Sequence, residues 1–235
     1  MQTMPPETKQ AIQKWIRQAA VGAIGYGAVI FLAAWTLNWV WGWTLLIILI
    51  AMLAAHPLLL IPINPELLAE RQKGMLAEGV KQWDKWITSS TGGLMIATWI
   101  VAGLDWRFGW GGGLPLAAHV GGAVFTALGY ALFMWAMTAN AFFAEGVRIQ
   151  EERGHTVASG GPYRIVRHPG YLGTIVAQLA TPILLGSWWA LIPAAALAAL
   201  FVLRTALEDR TLQAELPGYA EFTQQTGYRL LPGIW

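Results

Sequence analysis

The chain has 235 residues, of which 56% are hydrophobic and only 12% are charged, and its mean hydropathy is positive. This composition leaves too few polar side chains to enclose a water-soluble globule of this size, so most of the surface is expected to face lipid. The formal net charge of +2, without any arginine-rich tract, gives no indication of a nucleic-acid partner. Because the sequence has no cysteine, disulfides, thiolate metal ligands and a cysteine nucleophile are excluded.

Five hydrophobic stretches approach the length of about 20 residues that an α-helix needs to cross a bilayer core. They cover approximately residues 19–37, 43–63, 91–104, 114–144 and 171–203. The first has no clear cleavage site and is interpreted as an uncleaved span. The last is too long for one span and carries Gly186 and Ser187 near its middle, which predicts a helical hairpin. The sequence therefore predicts an all-α, polytopic transmembrane helical bundle of about six passes, forming a single integral membrane domain.

Basic residues and tryptophans divide between the two ends of these predicted spans. Fourteen of the fifteen Lys and Arg residues fall on one side, which includes both termini, and Arg107 lies alone on the other. The tryptophans that would form an interfacial aromatic belt lie on the side of Arg107: Trp35, Trp39, Trp41, Trp43, Trp106, Trp110, Trp188 and Trp189. Since cytoplasmic loops are enriched in Lys and Arg, both termini are expected in the cytoplasm.

A helix is also predicted on the cytoplasmic interface between the second and third stretches. Asn64, Pro65 and Glu66 stand in the order typical of a helix N-terminus. An apolar stripe with helical spacing follows, with charged residues opposite it: Leu76, Val80, Trp83 and Ile87 against Lys73, Glu78, Lys81 and Lys85. A packing strut between two spans is the alternative interpretation.

Few polar groups lie within the hydrophobic stretches, which contain no Asp, Glu, Lys or Arg. His56 and His119 are expected to be hydrogen-bonded structural residues, because buried polar groups are usually just paired. Residues 111–113, all glycine, are expected to form a turn, since no lysine follows them as in a phosphate-binding loop. Candidate chemistry is therefore confined to the cytoplasmic side.

The segment of residues 160–173, GGPYRIVRHPGYLG, concentrates polar chemistry more than any other. Pro169 suits the first turn of a helix, whose free N–H groups would form an anion-binding corner with Arg167 and His168. Arg204, Glu208 and Asp209 lie where the hairpin returns to the same side, and the two sets together suit a zwitterionic amino acid. Alternatively, the basic residues only anchor a helix end, and Arg204 and Glu208 pair with each other.

These residues carry a resemblance to a known family. The stretch GPYRIVRHPGYLG, then Arg204 with Glu208 and Asp209, then Leu212, residues 218–219 and Phe222 resemble the C-terminal core of the isoprenylcysteine carboxyl methyltransferase and phospholipid N-methyltransferase superfamily. Residues 145–235 would thus form the cofactor-binding core, and residues 1–144 the N-terminal spans and the interfacial helix. Asp209 stands where the family has a second glutamate. Residues 64–71, NPELLAER, resemble a prokaryotic branch with poorly defined acceptors.

The resemblance implies that S-adenosylmethionine binds between the Arg-His-Pro loop and the acidic pair, with no metal. Arg204 and Glu208 are the expected catalytic residues, with Arg204 orienting the substrate. The cofactor-binding residues expected from the loop chemistry and the resemblance are Tyr163, Arg167, His168, Pro169, Tyr171, Gly173, Glu208 and Asp209.

The expected acceptor is a lipophilic small molecule that enters from the bilayer, first of all a prenylcysteine-type carboxylate. The alternatives are methylation of a phospholipid amine, an NADPH-dependent sterol or lipid reductase of related architecture, and a non-enzymatic lipid-binding protein. Neither the acceptor nor the oligomeric state follows from the sequence.

Overall fold

The computed structural model describes residues 6–235, apart from the side chains of residues 6–8 and 11. In this range the chain forms eight α-helices, three short 3-10 helices and no strand. The helices are α1 Pro6–Ala34, α2 Val40–Ile63, α3 Pro65–Arg71, α4 Gln82–Phe108, α5 Leu116–Thr138, α6 Pro169–Leu185, α7 Leu191–Glu215 and α8 Tyr219–Gln225. The predicted all-α class is confirmed.

Five helices of the described range, namely α1, α2, α4, α5 and α7, are long and apolar enough to cross a membrane. Helix α6 is apolar too but has 17 residues, at the lower limit of about 17–25 for a membrane-spanning helix. These five candidate spans indicate an integral membrane protein, and a sixth pass formed by α6 stays a prediction.

The predicted C-terminal hairpin is present as α6 and α7. Helix α6 ends at Leu185 and is capped by Gly186, whose φ of +83° lies in the left-handed region that glycine adopts most easily. Ser187 then stabilises the turn, because its hydroxyl accepts a hydrogen bond from the Ala190 N–H. The hairpin brings the beginning of α6 and the end of α7 to the same end of the bundle.

The helix predicted between the second and third spans is present only in its first part, and its interfacial location stays a prediction. The Asn64 side chain accepts a hydrogen bond from the Leu67 N–H at 3.1 Å and caps α3, as predicted. The helix ends at Arg71, and the glycines at positions 74 and 79 then take positive φ values that interrupt helical geometry. Trp83 and Ile87 belong to α4, so the prediction of one continuous surface helix through the stripe is wrong.

The prediction that the spans contain no acidic residue is wrong for α4, because this helix begins before and ends after the predicted stretch. Asp84 and Asp105 are both buried within it. Asp105 lies at the end of the bundle where the turn between α6 and α7 is found. It stabilises this end by accepting hydrogen bonds from the Gly111 N–H at 2.6 Å and the Ser187 hydroxyl at 2.5 Å. The glycines at 111–113 lie in the loop between α4 and α5, and Gly111 is in a turn.

Helices α5 and α6 form the most extensive helix pair of the fold. Gly129 and Gly173 meet in this interface, where a Cβ on either would overlap the backbone of the other helix. Small residues allow such close backbone contact between membrane helices. His119 of α5 also contacts α6, through a hydrogen bond of 2.7 Å between its Nδ1 and the Leu184 carbonyl, which confirms its structural role.

Candidate active site

A cavity of about 480 Å³ lies between the helical bundle and the loops at the end where α6 begins and α7 ends. This volume falls within the range of roughly 300–1,000 Å³ typical of small-molecule sites. Its polar end is formed by the loop before α6, by residues of α7 and by α8. From there the lining follows one face of α6 into the bundle, through Tyr171, Thr174 and Gln178. A polar end thus continues into a largely apolar interior.

Residues that are distant in sequence meet around this cavity. Six of the residues predicted for the site line it: Tyr163, Arg167, His168, Tyr171, Arg204 and Glu208. The cavity lining, taken over the described residues, does not include Pro169, Gly173 or Asp209. Pro169 occupies the first turn of α6, and Gly173 packs against α5. Both therefore support the site through the position of α6.

Asp209 is the centre of a buried polar network behind the cavity. Its carboxylate has no exposed surface and accepts hydrogen bonds from Arg167 Nε at 2.8 Å, Arg229 Nε at 2.8 Å and the Tyr219 hydroxyl at 3.0 Å. The ring Nε2 of His168 lies 3.3 Å from the same carboxylate. Burial and the charge of Asp209 raise the pKa of Tyr219 above its ordinary value, so this hydroxyl stays a donor. These contacts fix Asp209 behind the cavity wall, and its predicted role in cofactor binding stays a prediction.

Arg167 is also engaged within the protein. A guanidinium has five N–H groups, and the guanidinium of Arg167 donates four hydrogen bonds within the protein. Two go to Asp209 and one each goes to the carbonyls of Thr226 and Gly227. The backbone N–H groups of Arg167 and His168 donate to the carbonyls of Tyr228 and Arg229. The predicted anion-binding corner is therefore largely filled by the C-terminal tail of the chain itself.

Arg204 and Glu208 do not pair with each other. Arg204 donates to both carboxylate oxygens of Asp84, from Nε at 2.7 Å and from Nη2 at 3.0 Å, and Nη2 also donates to the Glu145 carbonyl at 2.6 Å. Its guanidinium lies over the ring of Tyr171, 5.0 Å from the ring centre. The Tyr171 hydroxyl donates a hydrogen bond to Glu208. Both predicted catalytic residues thus reach the cavity with separate partners.

Arg71 is a cavity residue that the sequence analysis did not single out. Its Nη1 donates to the Phe143 carbonyl at 3.1 Å, and its Nη2 lies 3.6 Å from the Glu145 carboxylate. Its Nε is buried and has no partner among the residues that the structure describes. Burial lowers the pKa of Arg71 from its ordinary value, although the Glu145 charge opposes this shift. In the sequence, only the position of Arg71 in the NPELLAER segment connected this residue with the site.

The loop after α5 carries further cavity residues that were missed. Arg148 donates to Glu70 at 2.5 Å and to Glu152 at 2.6 Å, which ties this loop to α3. His155 stacks on Phe142 with 4.5 Å between ring centres. Burial and the nearby charges of Arg153 and Arg148 lower the pKa of His155 to about 4, so its ring is neutral at physiological pH. Periodicity and charge patterns in the sequence gave no signal for these contacts.

His56 faces the cavity from α2. Its Nδ1 lies 2.8 Å from the Met52 carbonyl, so the predicted structural hydrogen bond is present. The same ring stacks on Trp15 of α1, with 5.5 Å between ring centres, and lines the cavity. The histidine thus combines a structural contact with a position in the cavity wall.

Comparison with known proteins yields one family. The model of the isoprenylcysteine carboxyl methyltransferase (ICMT) family matches residues 122–214, which run from within α5 almost to the end of α7 and include Arg167, His168, Arg204 and Glu208. No curated protein sequence matches the chain at a significant level. The matched range supplies the close α5–α6 pair and most of the polar end of the cavity, the parts of the fold that form the site. The match over residues 122–214 supports the isoprenylcysteine carboxyl methyltransferase superfamily for this part of the chain, and with it a membrane methyltransferase of the ICMT type.

Proposed function

We propose that this protein is an S-adenosylmethionine-dependent methyltransferase that methylates a lipophilic carboxylate of the prenylcysteine type at the cytoplasmic face of a membrane. One observation carries the proposal. A single continuous cavity joins a polar end, where the family residues of α6 and α7 meet, to an apolar interior between membrane-spanning helices. Such a cavity can hold a polar cofactor at its polar end and a lipid-like acceptor in its apolar interior.

The polar end has the groups that the cofactor requires. Glu208 has acceptor capacity beyond its one hydrogen bond from Tyr171, so it can accept from the ammonium of the methionine part. The aromatic rings of Phe201 and Phe222 line the same region, and aromatic faces attract a sulfonium by about 1 kcal/mol at partly exposed sites. When bound, S-adenosylmethionine supplies a methyl group activated for transfer. Glu208, His168 and these rings would hold it.

Two arginines beside this region favour a carboxylate acceptor. Arg204 and Arg71 approach Glu145 from two sides, Arg204 at its carbonyl and Arg71 at its carboxylate. Asp84 holds the Arg204 guanidinium in place, and the buried Nε of Arg71 has no hydrogen-bond partner among the described residues. A carboxylate is ionised at neutral pH, so these residues need only bind and orient it, whereas an amine must first lose a proton to a base.

The interior of the cavity suits the lipophilic part of the acceptor. Leu49, Met52 and Leu53 of α2 line it together with Met95 of α4 and Phe133 of α5. These side chains exclude water from the transferring group, and alignment of two bound reactants lowers a barrier by several kcal/mol. The proposed orientation, with both termini in the cytoplasm, places the polar end where a soluble cofactor can reach it.

The direct test uses the purified protein in lipid nanodiscs. Calorimetry is expected to show binding of S-adenosylmethionine and its demethylated product but not of NADPH. Methyl label from S-adenosylmethionine is then expected in a base-labile ester of N-acetyl-S-geranylcysteine and not in phosphatidylethanolamine. Arg204→Lys keeps the charge but loses the planar fork, so it should reduce turnover more than cofactor affinity.

Arg107→Ala is the matched control, because Arg107 lies at the other end of α4, where its guanidinium stacks on Trp35 and Phe108. It should leave both measurements unchanged. Binding of NADPH without S-adenosylmethionine would point to the reductase alternative. Label only in the phospholipid would replace the carboxylate acceptor by an amine.

A further inference from the structure

Unpaired polar atoms are concentrated on the wall of the cavity. Over the described residues, seven buried side-chain nitrogen or oxygen atoms lack a hydrogen-bond partner. Four of them belong to residues that line the cavity: Arg71 Nε, Thr88 Oγ1, Arg148 Nε and Gln178 Oε1. Buried polar groups are normally paired, so an unpaired polar atom on a residue of the cavity wall is a candidate for contact with a bound guest.

Gln178 lies deep in the apolar part of the cavity. It lies seven positions after Tyr171 along α6, which places it about 10 Å further into the bundle at 1.5 Å per residue. Its side chain is almost fully buried, with the residue 3% exposed. A purely hydrocarbon tail at this depth would leave the amide oxygen without a partner.

Gln178 forms a pair with Tyr130 of α5. The amide Nε2 donates to the Tyr130 hydroxyl oxygen at 3.3 Å. Oε1 of Gln178 then remains a free acceptor, and the Tyr130 hydroxyl hydrogen has no acceptor in the part of the chain that the structure describes. Both residues line the cavity. The pair thus offers one donor and one acceptor side by side.

We propose that Gln178 and Tyr130 form a recognition site for a hydroxyl group carried by the lipophilic part of the acceptor, about 10 Å from its reacting end. A hydroxyl donates to the amide oxygen and accepts from the tyrosine hydroxyl at the same time. If the Gln178 amide is rotated by 180°, its nitrogen takes the place of its oxygen. The ligand hydroxyl then accepts from the amide nitrogen and donates to the Tyr130 oxygen, so a hydroxyl complements both orientations of the amide. A carbonyl group satisfies only one member of the pair. This inference rests on the proposed function, because it specifies the acceptor of that reaction.

The test compares two matched probes in lipid nanodiscs. They are N-acetyl-S-geranylcysteine and its analogue that is hydroxylated at the first carbon of the second isoprene unit, the position that corresponds to the depth of Gln178. Calorimetric dissociation constants are expected to favour the hydroxylated probe by about fivefold for each of the two hydrogen bonds. Tyr130→Phe removes one oxygen and should reduce the preference, and Gln178→Leu should abolish or reverse it.

Thr126→Val is the control variant. Thr126 lies one turn before Tyr130 in α5, and its buried hydroxyl also lacks a partner among the described residues, but it is not part of the cavity lining. Its substitution should leave the preference intact, which separates recognition from a general change in helix packing.

Equal affinity of the wild-type protein for the two probes would overturn the inference, and is the result expected if the polar pair serves only an ordered water. Failure of both probes to bind, or a preference that survives both substitutions, would overturn it as well. If the preference for the hydroxyl is present while neither probe is methylated, the recognition site stands and the proposed reaction fails.

Discussion

Asp84 provides the sharpest test of the structural reasoning, because its carboxylate is the counter-ion that holds Arg204. It has no exposed surface and accepts two hydrogen bonds from Arg204 and one, at 2.7 Å, from the Val147 N–H. Removal of one partner of a buried ion pair costs about 3–5 kcal/mol, because the other charge is left without compensation. We expect Asp84→Ala to lower the free energy of unfolding by that amount.

The matched control is the ion pair between Lys81 and Glu215, which joins the start of α4 to the end of α7 at 2.7 Å but is partly exposed to solvent. Exposed pairs contribute about 0–1 kcal/mol, so Lys81→Ala should have little effect. The assay is denaturant unfolding of the protein in mixed micelles, followed by tryptophan fluorescence. If Asp84→Ala costs no more than Lys81→Ala, the buried Asp84–Arg204 pair does not carry the stability assigned to it.

The other predictions concern the ligand ends, one histidine and the topology. Glu208→Gln should weaken S-adenosylmethionine binding about tenfold or more in calorimetry, since hydrogen bonds to charged groups contribute about 1.5–3 kcal/mol; an unchanged affinity would exclude Glu208 as the ammonium ligand. Arg71→Gln should raise the KM of the carboxylate acceptor with little change in cofactor affinity, and the opposite pattern would contradict the proposed placement of the acceptor. His155 has a folded-state pKa of about 4 against an ordinary value of 6.5, so the unfolded chain binds the extra proton first and stability should fall as pH drops from 6.5 to 4. The unfolding profile of His155→Gln should be flatter over that range, and identical slopes would show that this histidine is not responsible. Tags at the N-terminus, which lies outside the described residues, and at Trp235 should both be protected inside sealed right-side-out vesicles, while a tag at Gly112 should be accessible.

The membrane spans could be predicted because the bilayer imposes a local rule. A helix in hydrocarbon needs about 20 mainly apolar residues in a row, and this property is visible in any window of the sequence. The turn at Gly186 and the cap at Asn64 were predictable for a similar reason, since both depend on a few neighbouring residues. The interruption after Arg71 was missed because a helical spacing of apolar residues continues through Gly74 and Gly79, although the backbone does not.

The sequence predicted which segments of the chain lie together around the cavity. The joint occurrence of the Arg-His-Pro loop and the Arg204–Asp209 segment placed the right regions of the chain together, through the hairpin that connects them. The partners inside the site were not predictable in this way. Arg204 stands four residues from Glu208, which suggests a local pair, yet its partner Asp84 is 120 residues away in the chain.

The sequence by itself determined the membrane class, the helical passes, the position of the hairpin and the two segments that form the polar end. These features depend on local composition, on residue spacing and on the one-sided distribution of charge. Only the tertiary structure decided which polar side chains are hydrogen-bonded within the protein, as Arg167 and Asp209 are. It likewise decided which polar side chains keep unpaired atoms or acceptor capacity on the cavity wall, as Glu208, Arg71 and Gln178 do. The physical reason is that hydrogen bonds between distant segments depend on distances of a few ångströms, and these arise only when the helices have packed.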